Sequence, residues 1–281
     1  MTRIISISSG KGGVGKTSLT ANLGIAMAKL GKKVIMVDTD MQMANLGLML
    51  GMEGRPITLQ DVLLGEASAS DAIYEVQEGA KLVPSGLSIE KFRRVDEEKL
   101  AAAVAEIAKH AEIVLLDTAA GIGSDVIATL SSAHEVLVVT MPEPVAVADA
   151  LKVILVAERR LGLDVLGVVV DMQKGMKQEM SIKDIQKTLQ TEVLAVIPED
   201  PHLRECSLDG KPVVLEHPTS PASVAIINLA ARLLGVPAPM PVEKKKEGGI
   251  LDAIFGLFRK KHSPDLKQLE ADKKMAAAKK S

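Results

Sequence analysis

The chain has 281 residues, 47% of them hydrophobic, yet only Tyr74, Phe92, Phe255 and Phe258 are aromatic. So little ring area excludes single-stranded nucleic-acid readers built on stacking platforms and aromatic cages for cations, and the core must be aliphatic. The net charge of −2 divides unevenly: after residue 240, 11 Lys or Arg against 6 Asp or Glu give a tail of +5, which leaves −7 on the preceding body and suits the tail to an anionic surface.

The single cysteine, Cys206, excludes an internal disulfide framework or a cysteine-ligated cluster within one chain, and it suits a reducing compartment. The opening MTRIISISSG lacks the apolar stretch of a signal peptide. No segment approaches the roughly 20 apolar residues of a membrane span. The expectation is a cytoplasmic protein, soluble or peripheral on a membrane.

Strands are predicted over Arg3–Ser8, Lys33–Asp38, Ala80–Pro84, Ile113–Asp117, Glu135–Thr140, Val165–Asp171 and Val193–Pro198. Several are near-continuous Val/Ile/Leu runs, the pattern of strands covered on both faces. Helical periodicity occupies the intervals: Lys16–Leu30, Thr58–Leu64, Glu97–Lys109, Ser124–Ser132, Val145–Leu161, Ser181–Leu189 and Ser223–Leu234. This alternation specifies a doubly wound, mostly parallel α/β sheet over residues 1–235.

The first interval carries the chemistry. Gly10-Lys11-Gly12-Gly13-Val14-Gly15-Lys16-Thr17 satisfies G-x-x-x-x-G-K-T between a strand and a helix, the setting of a phosphate-binding loop. Its glycines let the backbone curl and aim N–H groups at phosphate oxygens, and the helix beginning near Lys16 adds its positive dipole end. Lys16 should sit on the β- and γ-phosphates, Thr17 should ligate Mg²⁺ and Ser18 should reach the α-phosphate. Farther on, Val114-Leu-Leu-Asp117 ends an apolar strand in an aspartate, a pattern that holds Mg²⁺ in P-loop proteins. Carboxylates Asp38 and Asp40 close the second strand, at the sheet edge that faces the ligand crevice.

The KGGVGKT sequence, with its second lysine Lys11, resembles the deviant Walker A ATPases of the MinD/ParA family over roughly residues 2–235. The resemblance implies a P-loop NTPase fold and Mg²⁺-dependent ATP hydrolysis, with ATP and Mg²⁺ as cofactors. It implies that Asp40 activates the attacking water, that Asp38 supports its loop, and that Asn45 responds to the nucleotide state. Lys11 would cross a two-fold interface to the nucleotide of a second subunit, making a homodimer in the ATP state. Thr118-Ala-Ala-Gly121 resembles the family's second switch, with Ala119 where proline is usual, and Thr140-Met-Pro-Glu-Pro144 matches another family segment. For the base, the family usually ends the sixth strand in Asn, whereas this chain has Asp171. An ionised Asp accepts only; it can take the adenine amino proton and can equally accept from guanine N1 and N2. Pro198, Glu199 and Asp200 match the loop flanking the base.

Beyond residue 235 the composition changes. Residues 236–249 are rich in Pro, Lys and Gly and read as a flexible linker. In the segment 250–261, Ile250, Leu251, Ile254, Phe255, Leu257 and Phe258 share one side of a helical wheel, followed by Arg259, Lys260 and Lys261. Such an amphipathic helix suits an anionic membrane interface and is too short to span; it resembles the membrane-targeting end of the MinD branch. Residues 262–281 form a charged tail that reads as disordered. The reading is an ATP-gated switch on the inner membrane surface, positioning the cell-division site or surface machinery with an activator or client protein. The alternatives are a regulator of flagellar number and a ParA-like DNA segregation ATPase. The second needs a basic patch for nucleic acid, which a body of −7 disfavours. A cluster-bridging iron–sulfur carrier needs more cysteines than the chain has.

Overall fold

The computed structural model describes residues 2–239. The rest of the expected linker, the amphipathic segment 250–261 and the tail 262–281 lie outside the described residues. The strands are β1 (Arg3–Ser9), β2 (Val34–Asp38), β3 (Tyr74–Glu75), β4 (Lys81–Val83), β5 (Ile113–Ala120), β6 (Glu135–Thr140), β7 (Asp164–Gln173) and β8 (Val193–Pro198). They form one sheet in the order β3-β4-β2-β5-β1-β6-β7-β8. Every neighbouring pair is parallel except β3 with β4.

The helices in chain order are α1 (Lys16–Lys29), α2 (Leu46–Met49), α3 (Leu59–Leu64), α4 (Ile89–Phe92), α5 (Leu100–Ala108), α6 (Ser124–Ser131), α7 (Pro144–Leu155), α8 (Ile182–Leu189), α9 (Pro201–Leu208), α10 (Val213–Glu216) and α11 (Pro221–Leu234). Their starts follow local chemistry. Thr58 and Asp61 form a reciprocal capping box at α3. Proline occupies the first turn of α7, α9 and α11, where its missing N–H is harmless. Gly235 in left-handed conformation ends α11.

Successive strand residues point to opposite faces, which sorts the core into layers. Ile5, Ile7, Leu115, Leu137 and Val139 share a cluster with Leu23 and Met27 of α1 and Ile226 and Leu229 of α11. On the other face, Ile4, Val37, Val114 and Leu116 meet Leu59 and Leu63 of α3 and Val104 and Ile107 of α5. Val136, Val138, Val168 and Val170 meet Val126 and Leu130 of α6, Val153 and Ile154 of α7 and Ile185 of α8. The doubly wound sheet is thus as expected.

Differences from the expected elements are local. The helix expected over Val145–Leu161 is α-helical to Leu155 and continues as a π-helical turn, Val156–Arg160. Glu97–Lys99 is a 3₁₀ turn leading into α5. Strand β3 is two residues long, too short for an alternation signal. It is anchored by Tyr74, whose hydroxyl donates to the Ile57 carbonyl (3.0 Å) and accepts from the Ile57 N–H (3.1 Å).

Candidate functional site

The loop between β1 and α1 lies at the C-terminal end of β1, a central strand flanked by β5 and β6. Gly13 (φ 75) and Gly15 (φ 89) take left-handed backbone, which turns the chain into an anion-binding nest. Lys16 is buried, and Gly12, Gly13, Gly15, Lys16, Thr17 and Ser18 all line a cleft of about 1110 Å³. Ser18 Oγ is buried without a hydrogen-bond partner. An orphan hydroxyl at a helix N-terminus suits a phosphate oxygen. The side chain of Val14 is buried in the core, so only its backbone serves the loop. Gly10 plays a packing part: a Cβ there would fall on the backbone of Asp149 in α7. Lys11 turns aside to an ion pair with Glu143, Nζ to Oε2 3.2 Å, both groups being partly exposed.

Three aspartates stand beside the loop. Asp38 and Asp117 are register partners on β2 and β5 and are both buried. Asp38 Oδ1 accepts from Asp40 N–H (3.2 Å) and Oδ2 from Leu46 N–H (3.1 Å), bracketing residues 39–46. The N–H and hydroxyl of Thr39 both donate to the Asp117 carbonyl oxygen, at 3.0 and 2.6 Å. Asp117 Oδ1 accepts from the Thr20 hydroxyl (3.2 Å). Burial, reinforced by Asp117, holds the Asp38 carboxyl well above the usual range. Burial also raises Asp117 to about 6, against the pull of Lys16, Thr17 and Thr20. A concentration of acid facing one lysine, with the hard oxygen donors of Thr17 and Asp117, suits Mg²⁺.

Asp40 lines the cleft and uses Oδ1 to accept from Met43 N–H (2.9 Å). Asn45, at the N-terminus of α2, also lines it. Gly121 (φ 97) follows β5 and donates its N–H to the Ser9 carbonyl (2.9 Å), tying this second loop to β1. Gln42 Nε2 donates to Asp125 Oδ2 (3.0 Å) in the first turn of α6, a bond from the loop after β2 that sequence reasoning missed because neither residue belongs to a motif.

The cleft extends to Asp171, Pro198, Glu199 and Asp200 at the ends of β7 and β8. Asp200 turns out to be largely structural. Its Oδ1 accepts from His202 N–H (3.0 Å) at the start of α9, and its Oδ2 from Ala222 N–H (3.1 Å). Glu199 is paired with Lys174 at 3.3 Å. Leu203, Arg204 and Ser207 on α9 complete this end; they were missed because the helix carries no strong amphipathic pattern. Among the described residues no aromatic side chain lines the cleft.

A strand, a glycine loop with left-handed turns and a helix, backed by buried carboxylates, define a P-loop nucleotide-binding protein. The family model of the CobQ/CobB/MinD/ParA nucleotide binding domain matches residues 5–213. An uncharacterized ATP-binding protein of Methanocaldococcus jannaschii is 45% identical over 258 residues, covering 92% of this chain and 97% of that protein. The septum site-determining protein MinD of Pyrococcus horikoshii, solved with Mg-ADP, is 37% identical with a TM-score of 0.80, covering 89% of this chain and 98% of that one. MinD in the MinC:MinD cell division complex of Aquifex aeolicus is 35% identical with a TM-score of 0.76, covering 86% and 100%. The chain belongs to the MinD/ParA family and is, like its members, an ATPase.

Proposed function

We propose that this ATPase is an ATP-gated dimerisation switch that works on the cytoplasmic membrane surface and positions a cellular assembly. The septum-site role and the MinC partner in its relatives' names make cell division the first process to examine. Residues 1–235 would be the ATPase domain, 236–249 the linker, 250–261 the membrane-targeting helix and 262–281 a charged tail. One such helix binds weakly, and two carried by a dimer bind by avidity, so membrane residence follows nucleotide state. Among the described residues no helix is long and apolar enough to cross a membrane.

Thr17 and Asp117 would hold a Mg²⁺, which would supply charge neutralisation at the phosphates; the Pyrococcus relative was solved with Mg-ADP. Lys16 and the loop N–H groups would hold the phosphates, and catalysis is then mostly positioning and electrostatics. Asp40 would orient the attacking water. Its Oδ1 is tied to Met43, which fixes the carboxylate in the cleft.

The observation that carries the switch reading is Lys11. A second lysine on the loop is held at the rim by Glu143 in a partly exposed pair, a contact worth about 0–1 kcal/mol. Such a pair breaks readily when a phosphate of a second subunit is offered. Lys11→Ala is expected to abolish the ATP-dependent dimer in light scattering while the monomer still binds nucleotide. A full ATP dimer in that variant would remove the cross-interface role.

Membrane binding has its own test. Full-length protein should co-sediment with anionic vesicles in ATP several-fold more than in ADP, and deletion of 250–261 should reduce pelleting to background. Equal pelleting with and without the segment would defeat the proposal.

A further inference from the structure

Helix α1 turns a polar face toward β5. Lys16 and Thr20 lie one turn apart on it, and both are buried. Valine would fill the place of Thr20 with nearly the same shape. What threonine adds is a hydroxyl, and a buried hydroxyl needs a partner. This one has a single proton and two acceptors in reach, the Lys16 carbonyl at 3.0 Å and Asp117 Oδ1 at 3.2 Å. The Lys16 carbonyl already belongs to the hydrogen-bond ladder of α1. An ionised carboxylate accepts a stronger bond than a carbonyl does, so the proton is best used on Asp117.

The main chain of Asp117 is fixed from both sides. It is in register with Ile7 of β1 and Asp38 of β2. Its carbonyl takes the N–H and the hydroxyl of Thr39, at 3.0 and 2.6 Å. The freedom left is rotation of the carboxyl about its last torsion, which in aspartate is broad and roughly two-fold. Thr20 engages one of the two oxygens and so sets that angle.

We infer that Thr20 is a positioning residue for the cation: it orients the Asp117 carboxylate before a metal arrives. The inference rests on Thr17 and Asp117 being the groups that hold Mg²⁺. Thr20 itself touches neither metal nor nucleotide in this role. Its hydroxyl spares the carboxylate the cost of being ordered when the cation binds, and groups that hold a metal ligand in this way change metal affinity by about 10- to 100-fold.

The test uses full-length protein saturated with ADP, and Mn²⁺ as a paramagnetic stand-in for Mg²⁺ that takes the same oxygen donors. Binding is followed by electron paramagnetic resonance. Thr20→Val keeps the shape and removes the hydroxyl, whereas Thr20→Ser keeps the hydroxyl and removes the methyl. The Val variant should bind Mn²⁺ about 10- to 100-fold more weakly than wild type, and the Ser variant should stay close to wild type. A packing role reverses that order, with Val like wild type and Ser the weaker. Either the reversed order or equal Mn²⁺ affinity in all three proteins overturns the inference. Should Thr20→Val not fold, Thr20→Ala takes its place beside Thr20→Ser. Both lack the methyl and only the hydroxyl separates them, so the Ala variant should be the weaker, and equal affinity overturns the inference. A wild type that binds no Mn²⁺ with ADP, or an Asp117→Asn variant that binds it as wild type does, would remove the metal reading itself and this inference with it.

Discussion

Asp40→Ala is expected to lower ATP turnover by about 10²- to 10⁴-fold, the usual effect of losing a positioned proton acceptor, while nucleotide binding survives. The reason is the way its loop is built. Asp38 holds the loop through Leu46, and Thr39 holds it through the Asp117 carbonyl. Removing the Asp40 carboxylate leaves those anchors in place and deletes only the bond to Met43 and the acceptor in the cleft. Phosphate release measured with vesicles, beside ADP affinity, separates the two effects. If Asp40 also activates the water within an ATP dimer, that dimer should persist in the variant. A turnover loss of less than tenfold would make Asp40 a turn residue whose task is to hold Met43.

Gly10→Ala should destabilise the protein more than Gly13→Ala, although both glycines belong to the same phosphate loop. A Cβ there meets the backbone of Asp149, and a main chain cannot rotate away as a side chain can. Either β1 or α7 has to shift. Overpacking of this kind costs about 1–3 kcal/mol or more, which for a domain of this size lowers the melting temperature by roughly 2–4 °C per kcal/mol. The same shift would displace Glu143, which precedes α7 and holds Lys11. Gly13→Ala is the informative comparison. Nothing crowds its Cβ, and only the left-handed backbone (φ 75) resists the change, at about 1–2 kcal/mol. Thermal melts without nucleotide should therefore rank Gly10→Ala below Gly13→Ala. The reverse order would mean that the contact with α7 relaxes easily.

Much of the fold was legible because a sheet covered on both faces writes itself as uninterrupted aliphatic runs. Val114–Leu116 and Val168–Val170 are buried throughout, and their short length and β-branched content favour a strand over a buried helix segment. The short elements were illegible for the converse reason. Strand β3 and helices α2, α4 and α10 are two to four residues long, barely one period of the strand or helix pattern, so no repeat can show. The helix α9 that closes the far end of the cleft gave no signal because solvent covers most of it. The phosphate loop was legible because its geometry is local, each glycine answering to its own φ angle or its own close neighbour.

The aromatic poverty of the chain acquires a location in the structure. Of the two aromatics in the body, Tyr74 is bound to Ile57 with Arg55 over its ring (5.4 Å), and Phe92 is partly exposed on α4. The cleft is lined without either of them.

The amino-acid sequence by itself determined the class of sheet, the phosphate loop and the acids that accompany it, because those depend on short windows in which side-chain type and backbone conformation are coupled. The tertiary structure alone decided which distant groups meet. It placed Lys11 on Glu143, Gln42 on Asp125, Gly10 on α7 and Asp171 beneath Gly15. These residues lie on different strands and loops, and the order β2-β5-β1-β6-β7 brings them to one edge. That order is settled by the packing of whole faces, to which each of these side chains contributes little.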